Sequence, residues 1–187
     1  MSDEGDRRDH VLEVALGTFA RFGYRKTSMD DIARAADISR PGLYFLFTSK
    51  PNLFRAAAIH ALDRDLAAAE RVLADTGRPL ADRLIEAFDA WTGRYIGPMA
   101  REVTTLVDTH PDLLGDLTAD YPARFLALVT SAIATQRPGR SARADDLART
   151  LRSTAIGIKQ EAATREEFLA RVAIAVDLLI PPARRPA

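Results

Sequence analysis

Apolar residues recur along this chain at spacings of three and four rather than two, which predicts helices from end to end and no strand of useful length. Leu12, Ala15, Leu16, Phe19 and Phe22 mark the buried face of a first helix that Gly23 ends, with residues 1–8 as a loose polar arm before it. Met29, Ile32, Ala33 and Ala36 then fall at i, i+3, i+4 and i+7, a helix of about two turns. Thr27 and Ser28 are its candidate N-caps, and Asp30 and Asp31 stand in its first turn, where backbone N–H groups lack partners. The pattern breaks at Ala36-Asp37-Ile38, where Asp tolerates the left-handed conformation of a tight turn. Ser39 caps the next helix, Pro41 fits its first turn, and Ile38, Leu43 and Phe47 form its inward face. Ser39, Arg40, Gly42, Tyr44 and Phe45 remain outside. A Gly so early costs about 1 kcal/mol relative to Ala, which predicts close approach of another backbone. Two short helices across a turn read as a helix-turn-helix, or as an ordinary hairpin with Tyr44 and Phe45 in the core.

Beyond Lys50 the stripe Leu53, Phe54, Ala57, Ala58, Ala61, Leu62 and Leu66 predicts a helix from Pro51 to about Ala74, stopped by Gly77 and Pro79. Leu80, Leu84, Ile85, Phe88, Trp91 and Tyr95 make the next stripe, which Gly97-Pro98 breaks. A short helix from Met99 to about Thr109 follows, then a long one from Leu113 to Thr135 with an interruption expected near Tyr121-Pro122, and a loop at 137–140. The final pair spans about Ser141 to Gln160 and Thr164 to Ile180, the latter opened by a capping box in which Glu167 reaches back to the Thr164 amide. Its apolar residues, among them Phe168, Val172, Ile174 and Leu178, occupy more than one face. Leu151 and Ile158 of the preceding helix belong to a similarly broad pattern, and Gly157 permits close helix approach. Such helices are buried centrally or packed against another molecule. The fold class is therefore all-α, an N-terminal three-helix domain at 1–50 followed by a larger helical domain at 51–187.

Residues 9 to 60 resemble the DNA-binding domain of the TetR/AcrR family of bacterial transcriptional regulators. The resemblance rests on Phe19-Ala20-Arg21-Phe22-Gly23-Tyr24, Thr27 to Ala33, Ser39-Arg40-Pro41-Gly42-Leu43-Tyr44, Phe47, Ser49-Lys50 and Leu53-Phe54. It implies DNA contacts from Thr27, Ser39, Arg40, Pro41, Gly42, Tyr44, Phe45 and Lys50. Two positions depart from the family pattern: Asp37 replaces the usual turn Gly, and Leu46 stands where a polar residue often reaches phosphates. The family further implies a homodimer built on the last two helices, here Leu151, Ile158, Phe168, Val172, Ile174 and Leu178. It also implies a small-molecule effector in the helical body, and a repressor released from its double-stranded operator. The operator is expected to be palindromic, because one recognition helix reads only a few base pairs.

Charge sharpens this picture. The chain of 187 residues has zero formal net charge, yet Arg21 to Ile59 holds seven basic residues against three acidic ones. With 47% hydrophobic and 28% charged residues the composition is that of a globular protein. No apolar run reaches membrane-spanning length and the N-terminus is polar, so a cytoplasmic protein without membrane partners is expected. Cysteine is absent, which removes disulfides and thiol chemistry. His10, His60 and His110 form no ligand motif, and nucleophile elbows, phosphate-binding loops and dinucleotide fingerprints are missing, so neither a metal, a cofactor nor catalysis is expected. Phe88, Trp91, Tyr95, Met99, Tyr121 and Phe125, with Leu62 and Leu66 facing them, are either core or the lining of a pocket for an apolar or aromatic effector. A helical small-molecule carrier or enzyme, and a DNA-associated structural protein without effector, are the alternatives.

Overall fold

The structure is a computed structural model that describes residues 2–96, 111–136 and 143–180, and every regular element among them is helical. The elements are α1 (Ser2–Phe22), α2 (Met29–Ala35), α3 (Arg40–Leu46), α4 (Lys50–Ala74), α5 (Leu80–Trp91), a single 3₁₀ turn (Gly93–Tyr95), α6 (Pro111–Leu114), α7 (Leu117–Gln136), α8 (Ala144–Glu161) and α9 (Arg165–Leu179). The Gly97-Pro98 break, the Met99 to Thr109 helix, His110 and the 137–140 loop lie outside the described residues. The chain divides into two compact units, one of residues 2–64 with 111–118, the other of 65–96 with 119–136 and 143–180. The division falls inside α4.

In the first unit, Leu12, Ala15 and Phe19 of α1, Ile32 and Ala33 of α2, Leu43, Phe47, and Leu53, Phe54 and Ala57 of α4 share one core. Phe19, Tyr24 and Phe54 meet with ring centroids 5.2–5.5 Å apart, and burial raises the Tyr24 phenol above its ordinary pKa. Gly23, at φ +84°, ends α1 in a left-handed conformation that a side chain would strain. The expected loose arm is instead the start of α1. Arg8 lies 5.2 Å from the Phe47 ring centroid. The break expected near Pro122 falls at Gly115 instead, at φ +53°, and α7 runs through Pro122. Arg55 closes the C-terminus of α6, donating to the Leu114 carbonyl at 2.7 Å and to Asp116 Oδ1 at 2.8 Å. The Asp116 carboxyl is held below its usual range by that hydrogen bond.

In the second unit, α9 packs against α8 and α5. Phe168, Val172 and Val176 bury one face of α9, and Leu151, Ala155 and Ile158 one face of α8. Thr164 caps α9 by accepting from the Glu167 amide at 3.1 Å. Glu167 reaches past Thr164 to accept from the Ala163 amide at 2.9 Å, so the reciprocal bond lands one residue earlier than the sequence pattern predicts. Two charged side chains sit inside this unit. Asp65 accepts from Arg94 and from the Tyr95 hydroxyl. Arg83, at 1% exposure, donates to the Leu73 carbonyl near the end of α4 at 2.6 Å and to the Gln136 side chain at the end of α7. A cation is favoured at these helix C-termini, where backbone carbonyls lack partners. We expect Arg83→Ala to lower stability by roughly 2–4 kcal/mol through lost packing and orphaned acceptors. Urea unfolding measures this, and an unchanged midpoint contradicts the role.

Candidate nucleic-acid interface

The interface is built on two helices of seven residues each, and their caps explain why they form. Ser28 Oγ accepts from the Asp31 amide at 3.2 Å, while Asp31 Oδ2 accepts from the Ser28 amide at 2.9 Å and from its hydroxyl at 2.6 Å. These bonds from Ser28 hold the Asp31 carboxyl below its ordinary pKa. The cap's stabilisation is therefore complete above the unfolded carboxylate range and is lost as pH falls through the depressed folded value. Thr27, the other expected cap, is 2% exposed and donates its hydroxyl to the Gly23 carbonyl at 2.9 Å. Its hydroxyl is thus engaged in a structural bond within the domain.

Asp37, at φ 51°, makes the turn that leads into α3. Ser39 Oγ accepts from the Gly42 amide at 3.1 Å, and a Cβ on residue 42 would sit 3.0 Å from that oxygen. The close approach inferred for Gly42 is thus to its own cap hydroxyl, not to another backbone. Leu43 and Phe47 are fully buried, which leaves Arg40, Pro41, Tyr44 and Phe45 exposed, Phe45 at 83%. Arg40 Nη1 donates to Asp30 Oδ2 at 3.1 Å, and its guanidinium lies 5.7 Å from the Tyr44 ring centroid.

Lys50, an expected DNA contact, is held by bonds within the domain. Its ammonium donates to the Tyr24 and Thr27 carbonyls, each at 3.1 Å, and lies 4.5 Å from the Tyr24 ring centroid. It thereby ties the loop before α2 to the start of α4. Beside this loop a surface groove of about 660 Å³ is lined in part by Arg21, Phe22, Lys26 and Arg34, so the basic character lies around α2 as well as on α3. Sequence reasoning missed Asp30 as the partner of Arg40, because a contact across ten residues leaves no periodic signal.

The other two predicted sites lie mostly in the second unit. Trp91 stacks on Phe125 at 5.0 Å and Phe88 meets Phe125 edge-on at 5.2 Å, so these three form one packed cluster. Tyr121 and Leu66 are also buried, and Tyr95 is half-buried on Asp65. Leu62 belongs to the first unit, and Met99 lies outside the described residues. Of the expected dimer residues, Leu151, Ile158, Phe168 and Val172 are buried within the subunit. Ile174 and Leu178 are exposed at 61% and 77%, as is Ile156 at 46%. Helices α8 and α9 are apolar on two sides, one inward and one outward, and periodicity alone does not separate the two. Among the described residues no cluster of three metal-ligating side chains occurs, and no helix is long and apolar enough to cross a membrane.

A capped helix, a left-handed turn and a second helix that exposes Arg40, Pro41, Tyr44 and Phe45 form a helix-turn-helix, an arrangement that DNA-binding domains use. Residues 11–57 match the family model for bacterial regulatory proteins, tetR family. The match is confined to the helix-turn-helix domain and the helices that brace it. It is 35% identical over 83 residues to the transcriptional repressor ComR of Escherichia coli, covering 44% of this chain and 40% of that one. It is 41% identical over 49 residues to the transcriptional regulator AcrR of Shigella flexneri, covering 26% and 23%. The matched stretch thus spans two fifths or less of these curated relatives. A TetR-family structure from Mesorhizobium loti superposes with a TM-score of 0.77 at 18% identity, covering 96% of this chain and 98% of that one. At that identity the likeness establishes the fold.

Because Lys50 joins two carbonyls inside the domain, we expect Lys50→Ala to lower stability by about 1–3 kcal/mol. Thermal or urea unfolding checks this. Unchanged stability together with weaker DNA binding would return Lys50 to the role of a phosphate contact.

Proposed function

We propose that the chain is a ligand-responsive transcriptional regulator, a cytoplasmic homodimeric repressor that leaves a palindromic operator when a small effector binds. Residues 1–50 read DNA, and residues 51–187 dimerise and sense. The observation that carries the reading is the outer face of α3, where Arg40, Pro41, Tyr44 and Phe45 are presented to solvent by the burial of Leu43 and Phe47. Exposed Tyr and Phe side chains beside Arg are costly on a surface that meets only water and suit one that enters a groove. The basic residues Arg21, Lys26 and Arg34 supply attraction to phosphates.

Ile156, Ile174 and Leu178 supply the dimer face. Among the described residues beyond its own stretch of α8, none lies within 4 Å of a Cβ built on Gly157, which leaves room there for a second subunit. Two copies related by a two-fold axis present two recognition helices to successive major grooves, and the operator then shares that symmetry. The effector site is assigned to the helical body around Leu66, Phe88, Trp91, Tyr95, Tyr121 and Phe125. Leu62 and Met99 remain proposed contributors. An apolar or aromatic ligand suits this lining. It releases DNA only by binding the DNA-incompetent arrangement more tightly, and a hundredfold difference corresponds to about 2.7 kcal/mol. Helix α4, which contributes residues to both units, is the covalent route for that coupling.

Two measurements test this reading. Tyr44→Phe should weaken binding to specific and random duplexes alike, by roughly the two- to tenfold worth of one hydrogen bond. Unchanged affinity for both would remove Tyr44 from the interface. Leu178→Asp places a charge on an exposed position, so the monomer keeps its fold while the dimer face carries a desolvated carboxylate. Sedimentation should show a folded monomer, and operator affinity should fall by at least about tenfold. A variant that stays dimeric contradicts the assigned face.

A further inference from the structure

We propose that Asp30 is a specificity-determining residue of the DNA interface, a carboxylate that sets the orientation in which Arg40 meets a base edge. The inference rests on the DNA-binding reading of α3. Asp30 and Asp31 are adjacent, in the first turn of α2, yet they do different work. Asp31 closes the cap with Ser28 and stands 3.8 Å from Arg34. Asp30 takes no part in that cap, and its carboxylate turns to Arg40, the first residue of α3. Oδ2 accepts the 3.1 Å bond from Nη1, while Oδ1 lies 3.0 Å from Nε with no aligned hydrogen bond.

An exposed arginine has several freely rotating side-chain bonds, and fixing them on DNA costs entropy. Asp30 on one side and the Tyr44 ring on the other hold the guanidinium in the free protein, so part of that ordering precedes binding. One of five N–H groups is committed to the Asp30 bond, which leaves others for the O6 and N7 acceptors of guanine. A carboxylate beside the recognition helix also repels phosphates. It therefore weakens attachment to every sequence, and the correctly oriented Arg40 recovers the loss only where a guanine stands opposite. Asp30 acts through Arg40 as a positioning residue, raising the ratio of specific to random binding and lowering random affinity.

The test uses the full chain and a library of randomised duplexes, with selection and titration for wild type, Asp30→Asn, Arg40→Ala and the double variant. Wild type should enrich guanine at a position whose preference disappears in Arg40→Ala. Asp30→Asn should weaken the preference at that same position by about fivefold or more, within the range spanned by one base contact. It should also bind the unselected library about two- to fivefold more tightly as one repulsive charge is lost. The double variant should match Arg40→Ala in base preference. Preference unchanged or sharpened in Asp30→Asn, or an effect of Asp30 that persists without Arg40, overturns the proposal. If thermal unfolding shows that Asp30→Asn has lost its fold, Asp30→Glu takes its place. That variant keeps the charge and moves the carboxylate, so it should lose preference without the gain in random affinity, and retained preference counts against the proposal. Wild type that binds but enriches no sequence refutes sequence reading by α3 itself, which separates failure of the functional reading from failure of the Asp30 assignment.

Discussion

A seven-residue helix has no stability of its own in water, where isolated helices need roughly 12–15 residues even in favourable sequences. Helix α3 has this length and must still present four side chains in a fixed geometry. It exists because Leu43 and Phe47 are buried in a core shared with α1, α2 and α4, and because Ser39 supplies the acceptor its first turn lacks. Everything outward on α3 depends on that inward anchorage. The same holds for α2, whose seven residues are closed by Ser28 and Asp31 at one end and by the Asp37 turn at the other.

Three cations among the described residues position backbone and other side chains. Lys50 gathers two loop carbonyls, Arg55 closes α6, and Arg83 serves the ends of α4 and α7. Each spans elements distant in sequence, and each places a cation where helix ends or turns leave carbonyl oxygens without partners. Asp30 differs in that its partner, Arg40, belongs to the surface that would meet DNA. Charge is thus used internally to hold the frame and externally, at α2 and α3, to shape recognition.

The sequence made local features legible and left long-range ones hidden. The α2 start at Ser28, the turn at Asp37, the Ser39 cap and the inward Leu43 and Phe47 depend on neighbours within a few residues, and their spacing was enough. The start of α1 is polar and charged throughout, so no apolar periodicity marks it as helix. Pro122 reads as a breaker, yet α7 runs through it and the left-handed Gly115 breaks the chain first. The roles of Lys50 and Asp30 required knowing which elements meet. The broad apolar character of α8 and α9 was visible, but the division between the buried Phe168 and Val172 and the exposed Ile174 and Leu178 needed the fold.

On the proposed reading, this frame carries a two-fold, sequence-reading DNA interface whose occupancy a ligand controls. Footprinting the protein across the genome of its own host tests that claim most directly, because the protected sequences report affinity, symmetry and neighbouring genes together. A small number of protected sites sharing an inverted repeat is expected, with two half-sites separated by about one helical turn or a multiple of it. Protection that follows no common sequence, or that maps to single unpaired half-sites, would contradict it.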